Sequence, residues 1–382
     1  MPLRLALAVL VAAALVAVAR LPAPDATPML AQWPRASAGV DLAHLQVQAH
    51  GDVPMPEVTP AAHASALLAM PSGGDAALSV FWFAGTRESA ADVQIVASQW
   101  SRSAQRWLAA RPVLERHALG AQLGFGVRRL GNPVPWLDAQ GRIHLFVVAT
   151  GWGGWAASRI VHLRQSSTRS DLAQLQFEPL RVLALSWWWN TSFLVRNAVL
   201  PLADGGMLLP VYFELGIKYP VALRFDQDGV LRGMQRMSAR RDALQPTLLM
   251  RSPTEWLALL RDVRPLGKIG VVGSDDAGQH WSDLPDLPLD NPDAAVAALA
   301  LAPQQMLLAY NPSTSARSQL DLSHSAEGRQ WTRLATLAQG HTGDEYSYPS
   351  MAWADGSLWV SYTANRQRIA WQRFGLPPEA QP

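Results

Sequence analysis

A chain of 382 residues has room for two average domains or for one large all-β or α/β-barrel domain. Its composition, 49% apolar and 16% charged, excludes a disordered, heavily solvated chain, and the absence of cysteine excludes disulfides, thiol catalysis, Cys-ligated zinc and iron–sulfur clusters. Lys+Arg (32) nearly balance Asp+Glu (30), and no basic run tracks a phosphate backbone, so nucleic acid is not an expected partner.

Arg4 is followed by an apolar run from Leu5 to Ala19 and then by Arg20. The run has signal-peptide length and is short for a membrane span, which needs roughly 20 apolar residues. Ala17-Val18-Ala19 offers a small-x-small cleavage site, and retention as an anchor is the alternative. Residues 1–20 therefore predict an exported, extracytoplasmic protein (periplasmic or secreted) that meets a membrane only through this segment. A Pro/Ala-rich linker occupies 21–40, the folded part 41–375 and a short tail 376–382.

Short apolar runs then recur, each behind a turn signal. They are Ala77 to Ala84, Ile143 to Thr150, Gly206 to Phe213, Trp256 to Leu260, Gln305 to Tyr310 and Ser357 to Tyr362. Residues Ser98 to His117 fit either a short amphipathic helix or a strand end and loop. Strands at this density predict a sandwich, a barrel or a propeller.

The repeat selects the propeller. Ser274, Asp276, Gly278 and Trp281 stand at offsets zero, two, four and seven, the S-x-D-x-G-x-x-W turn motif known as an Asp-box. In it the Asp caps a tight turn, the Gly supplies positive φ and the aromatic packs on a blade edge. A degenerate copy runs from Ser323 to Trp331. Units of roughly 40–55 residues predict an all-β, six-bladed propeller. Its last strands end near 107, 177, 235, 281, 331 and 372, and a strand at about 44–51 closes the ring. Sixteen tryptophans against six tyrosines suit either a layered β core or a surface that stacks on sugars.

The chain resembles the predicted-neuraminidase (BNR-repeat) branch of the sialidase superfamily. The resemblance is carried, in order, by Phe83 to Glu88, Asp92 to Ile95, Leu130 to Pro133, Thr191 to Asn197 and Leu209 to Tyr212. It continues through Ala243 to Pro246, Leu260 to Asp262, Tyr310 to Pro312 and Glu345 to Pro349. It implies an enzyme of exo-α-sialidase type, or a related activity on acidic glycans. In such enzymes three arginines grip the sugar carboxylate, a Tyr nucleophile is activated by a Glu, and a loop Asp is the acid/base. Tyr attack suits an anionic sugar, because a carboxylate nucleophile would repel it.

By this resemblance Arg261 and Arg317 match two carboxylate-gripping arginines, Arg87 and Asp92 match the Arg-then-Asp loop, Arg87 as a further carboxylate-binding candidate and Asp92 as the acid/base, and Tyr346 matches the nucleophile. Tyr348 lies two residues on and is expected on the same strand face. Two positions depart. His63 stands where the first arginine belongs, and an imidazole cannot make a guanidinium fork. Gln245 stands where the activating Glu belongs, sixteen residues before Arg261, and Glu214 is the nearest other candidate base. Two alternatives follow: a His63/Tyr346 acid–base pair acting on a uronate as lyase or hydrolase, and a non-catalytic glycan-binding propeller. Trp152, Trp155 and Tyr348 are candidate sugar-stacking rings. No metal or cofactor motif is present. An acidic glycan or glycoconjugate is the expected partner, and the protein is expected to be a monomer.

Overall fold

A computed structural model describes residues 30–34, 42–57, 59–167, 171–265 and 267–376. The targeting segment at 1–20, most of the linker and the tail beyond 376 lie outside the described residues.

Six antiparallel sheets succeed one another as blades. Blade 1 runs Ala61–Ala69, Ala76–Gly85, Gln94–Ser101, then the short outer pieces Arg106–Trp107 and Arg111–Leu114. Blade 2 comprises Arg129–Leu137, Ile143–Thr150, Ser158–Gln165 and Phe177–Val182. Blade 3 comprises Phe193–Val195 (with Leu200–Pro201), Met207–Leu215, Ile217–Phe225 and Leu231–Arg236. Blade 4 comprises Ala243–Met250, Trp256–Asp262, Gly270–Ser274 and Ser282–Leu284, and blade 5 Ala297–Ala302, Gln305–Tyr310, Gln319–Ser325 and Thr332–Gln339. Blade 6 takes Tyr346–Ala354, Ser357–Ala364 and Arg368–Gly375 from the C-terminal end, and its outer strand, Gln46–Asp52, from the N-terminal end.

The apolar runs fall where the fold needs them. Ile143–Thr150 is buried along its whole length because neighbouring blades cover both of its faces, whereas the outer strand Leu231–Arg236 alternates toward solvent. Most of the tryptophan surplus goes into packing. Trp100, Trp107, Trp359 and Trp371 meet edge-on or tilted across the seam between blades 1 and 6, with centroid distances from 4.9 to 6.2 Å. At the Ser274 turn the Asp276 carboxylate accepts from the Ser274 hydroxyl (2.9 Å) and the His280 amide (2.8 Å), and Gly278 takes φ 78°. Trp281 and Trp331 stand just before their outer strands, Ser282–Leu284 and Thr332–Gln339, rather than at the ends of them. Of the two readings of Ser98 to His117, the strand and loop one holds. The helix (α1) comes later, Arg116–Leu123, closed by Gly124 at φ 71°.

Strand alternation sends every blade's inner strand away from one end of the channel. Loops 86–93, 151–157, 311–318 and 365–367 join second to third strands at that same end. The Ser274 turn, joining third to fourth strand, lies at the other end.

Candidate active site

Near that end the ladder of several inner strands breaks. Register shifts fall between His63 and Ala66, between Gly131 and Pro133, between Leu244 and Thr247, and between Ser347 and Ser350. Within three of these bulges a non-glycine residue adopts positive φ: Ala64 (57°), Gln245 (50°) and Tyr348 (54°). Each such conformation costs about 1–2 kcal/mol and re-aims a side chain that strict alternation would place elsewhere.

The re-aimed side chains meet across the channel. The Tyr348 hydroxyl accepts hydrogen bonds from Gln245 Nε2 and Arg261 Nη1, both at 3.4 Å. Arg261 Nη1 also donates to Gln245 Oε1 at 3.2 Å, which orients the amide so that its Nε2 faces the phenols of Tyr348 and Tyr212 (3.4 Å). Arg261 Nε donates to the Asp293 carboxylate at 2.6 Å, and Arg317 Nη2 to the Asp293 carbonyl at 2.6 Å. Asp293 thus joins the two arginines from blades 4 and 5. Arg317 also binds Glu345 (3.2 Å), which accepts from the Ser347 hydroxyl and from Arg366 Nε, both at 2.7 Å, while Arg366 reaches on to Glu88. Burial alone would raise the Glu345 carboxyl. The hydrogen bonds from Arg366 and Ser347 and the charges of Arg366 and Arg317 outweigh it and hold Glu345 at about 2. Burial pushes the Tyr212 phenol well up.

The predicted residues divide. His63, Gln245, Arg261, Arg317 and Tyr348 converge. Tyr346 does not: the bulge at 347–350 turns it outward, where its ring meets Tyr362 at 6.3 Å and lines a depression with Leu337 and Trp371. The expectation that Tyr346 and Tyr348 share a face fails because a bulge and a positive φ interrupt the two-residue alternation. His63 is buried against Phe83 and Tyr348, with ring centroids at 5.5 and 4.3 Å, and neither ring nitrogen has a partner among the described residues. Burial first, and then the Arg366 charge, lower its pKa to about 3, so the imidazole is neutral near neutral pH. Glu214 pairs with Lys218 at 3.7 Å near the blade 3 rim and makes no hydrogen bond to Tyr346 or Tyr348.

Asp92 caps its own loop, accepting from the Thr86 amide (2.9 Å) and hydroxyl (3.0 Å), and is exposed on the rim. Arg87 is exposed beside it and lines a shallow depression with Glu88 and Arg366. Trp155 is half-buried in packing between blades 2 and 3, while Trp152 is 83% exposed with the Arg128 guanidinium 3.7 Å above its ring. The Tyr348 ring is enclosed between His63 and Arg196 rather than presented as a stacking platform.

Sequence reasoning missed Arg196, Tyr212, Asp293, Glu345 and Arg366. Arg196, Tyr212 and Glu345 lie inside the stretches quoted above, whose pattern did not say which side chain faces inward. Asp293 and Arg366 carry no local signal, since their role depends on arginines from other blades.

The BNR repeat-like domain family matches residues 76–360. The chain belongs to this family. As a BNR repeat-like propeller it is similar in fold to a Hadza microbial sialidase (15% identity, TM-score 0.67), covering 83% of this chain and 66% of that one. It is similar to a protein of unknown function from Dyadobacter fermentans (13% identity, TM-score 0.67), covering 87% of this chain and all of that one. It is also similar to a Trypanosoma rangeli sialidase solved with sialic acid (11% identity, TM-score 0.63), over 87% of this chain and 58% of that one. The BNR repeat-like chain thus spans two thirds or less of either sialidase. Comparison with curated proteins gave no match.

Proposed function

We propose that this propeller is an exported, sialidase-like glycosidase acting on an anionic sugar of the sialic or uronic acid class. Tyr348 is the nucleophile, Arg261 and Arg317 grip the sugar carboxylate, and Asp92 is the rim acid. One observation carries the reading: two donors, Arg261 and Gln245, end on the Tyr348 hydroxyl, and Arg317 is tied to Arg261 through Asp293. Donors converging on one oxygen favour negative charge there, as an attacking phenol oxygen requires. A tyrosine, unlike a carboxylate, can approach an anionic sugar without charge repulsion.

Gln245 accepts no proton, so the phenolic proton leaves to solvent. The purified protein is tested against fluorogenic sialosides and uronides, reading both free sugar and unsaturated uronate. Tyr348→Phe is expected to abolish turnover and Tyr346→Phe to leave it within about twofold, the size of a change outside the reacting groups. Turnover that survives Tyr348→Phe refutes the assignment. A non-catalytic binding propeller is favoured by Gln245 itself and by the pairing of Arg261 and Arg317 with Asp293 and Glu345. Saturable binding of an acidic sugar with no turnover on either class decides for it.

A further inference from the structure

Arg196 and Asn197, at the end of the blade 3 inner strand, serve three other blades at once. Arg196 donates across the channel to the carbonyls of Ser65 in blade 1 (3.3 Å) and Pro349 in blade 6 (3.0 Å). Asn197 Nδ2 donates to the carbonyls of Gln245 (2.8 Å) and Pro246 (3.0 Å) in blade 4. All four carbonyls lie where the strand ladder is interrupted, and each interruption holds a residue at positive φ: Ala64, Tyr348 or Gln245. A buried carbonyl outside a ladder needs another donor, and these two side chains supply it. The Arg196 guanidinium is wholly buried and lies 4.9 Å from the centroid of the Tyr348 ring.

We propose that Arg196 and Asn197 form a strut that presets the strained conformations of Tyr348 and Gln245, with Arg196 the positioning residue for Tyr348. The inference rests on the reading of Tyr348 as the reacting group. A planar guanidinium can bridge two carbonyls from different blades through separate nitrogens and still face a ring; an ammonium must reach both from a single nitrogen, which cannot occupy both places. With the strut gone, the positive-φ residues relax toward ordinary strand geometry and the Tyr348 hydroxyl leaves Arg261 and Gln245.

Hydrogen exchange on the full chain, read by mass spectrometry, tests this without any substrate. Arg196→Lys is expected to raise exchange at least about tenfold in residues 62–66 and 345–351, with blade 5 unchanged. Asn197→Ala is expected to raise it at 243–248 and leave 345–351 as in the parent. A uniform rise over all blades, or none in these segments, overturns the strut. If Arg196→Lys does not fold, the local pattern of Asn197→Ala decides. Where an acidic sugar is turned over, Arg196→Lys should lower kcat about 100-fold with KM within about threefold, as for a reacting group displaced by an ångström. An unchanged kcat with 345–351 loosened overturns the positioning role. No turnover by the parent protein, with the exchange pattern as expected, removes the glycosidase reading and keeps the strut.

Discussion

Replacing Gln245 by glutamate is the sharpest probe of the site. The side chain is nearly isosteric, sits 3.4 Å from the Tyr348 and Tyr212 hydroxyls and 3.2 Å from Arg261 Nη1, and is 3% exposed. Two effects oppose each other in stability. Burying a carboxylate costs several kcal/mol. Its attraction to Arg261 returns about 5 kcal/mol at an effective dielectric near 20, reduced because Arg261 already binds Asp293 at 2.6 Å. The net change in folding stability is therefore expected within about 2 kcal/mol of zero, so Gln245→Glu should fold. Its kinetic effect is one-sided. The new carboxylate can take the Tyr348 proton, and a positioned general base contributes about 100- to 10,000-fold. Sharing between two phenols and a guanidinium puts the expectation at the lower end, about 100-fold. The assay is the initial rate on a fluorogenic sialoside and uronide between pH 5 and 9, with thermal melting as the control for folding. A folded Gln245→Glu protein that is no faster than the parent refutes the assignment of Tyr348 as a nucleophile lacking only its base.

Three further outcomes are expected. Asp293→Asn removes the carboxylate that competes for Arg261, so free sialic or glucuronic acid should bind about tenfold tighter by calorimetry, about 1.4 kcal/mol; unchanged or weaker binding would show that Asp293 does not compete. His63 ionises near 3 when folded and near 6.5 when unfolded, so the unfolded chain takes up its proton first. The stability present above about pH 6.5 is lost as pH falls toward 3, and His162, near 2 for the same reason of burial, adds in the same direction. His63→Leu should narrow the gap between melting temperatures at pH 7.5 and pH 5; an unchanged gap would exclude His63 as a source of the acid sensitivity. Asp276→Ala should destabilise by about 1–2 kcal/mol in urea through loss of its turn bonds and leave acidic-sugar binding unaltered, since that turn lies at the opposite end of the channel; a changed binding constant would count against that separation.

Sequence alone determined one apolar strand in each blade, the turn before it and the six-bladed repeat, because these follow from local composition: apolar runs of strand length, Asp/Gly turns and the Ser274 motif. The family resemblance set Gln245 and Arg261 in one site, and the structure puts them on neighbouring strands of one blade. Only the tertiary structure decided between Tyr346 and Tyr348. Alternation with period two puts both on one face, and a bulge with positive φ at Tyr348 separates them. Only the tertiary structure exposed the pairing of Arg261 with Asp293 and of Arg317 with Glu345, and the burial that keeps His63 neutral. Arg196 was beyond local reading for the same reason. Its partners lie 131 and 153 residues away, and they become its partners only when six blades close a ring and bring their broken ladders to one axis.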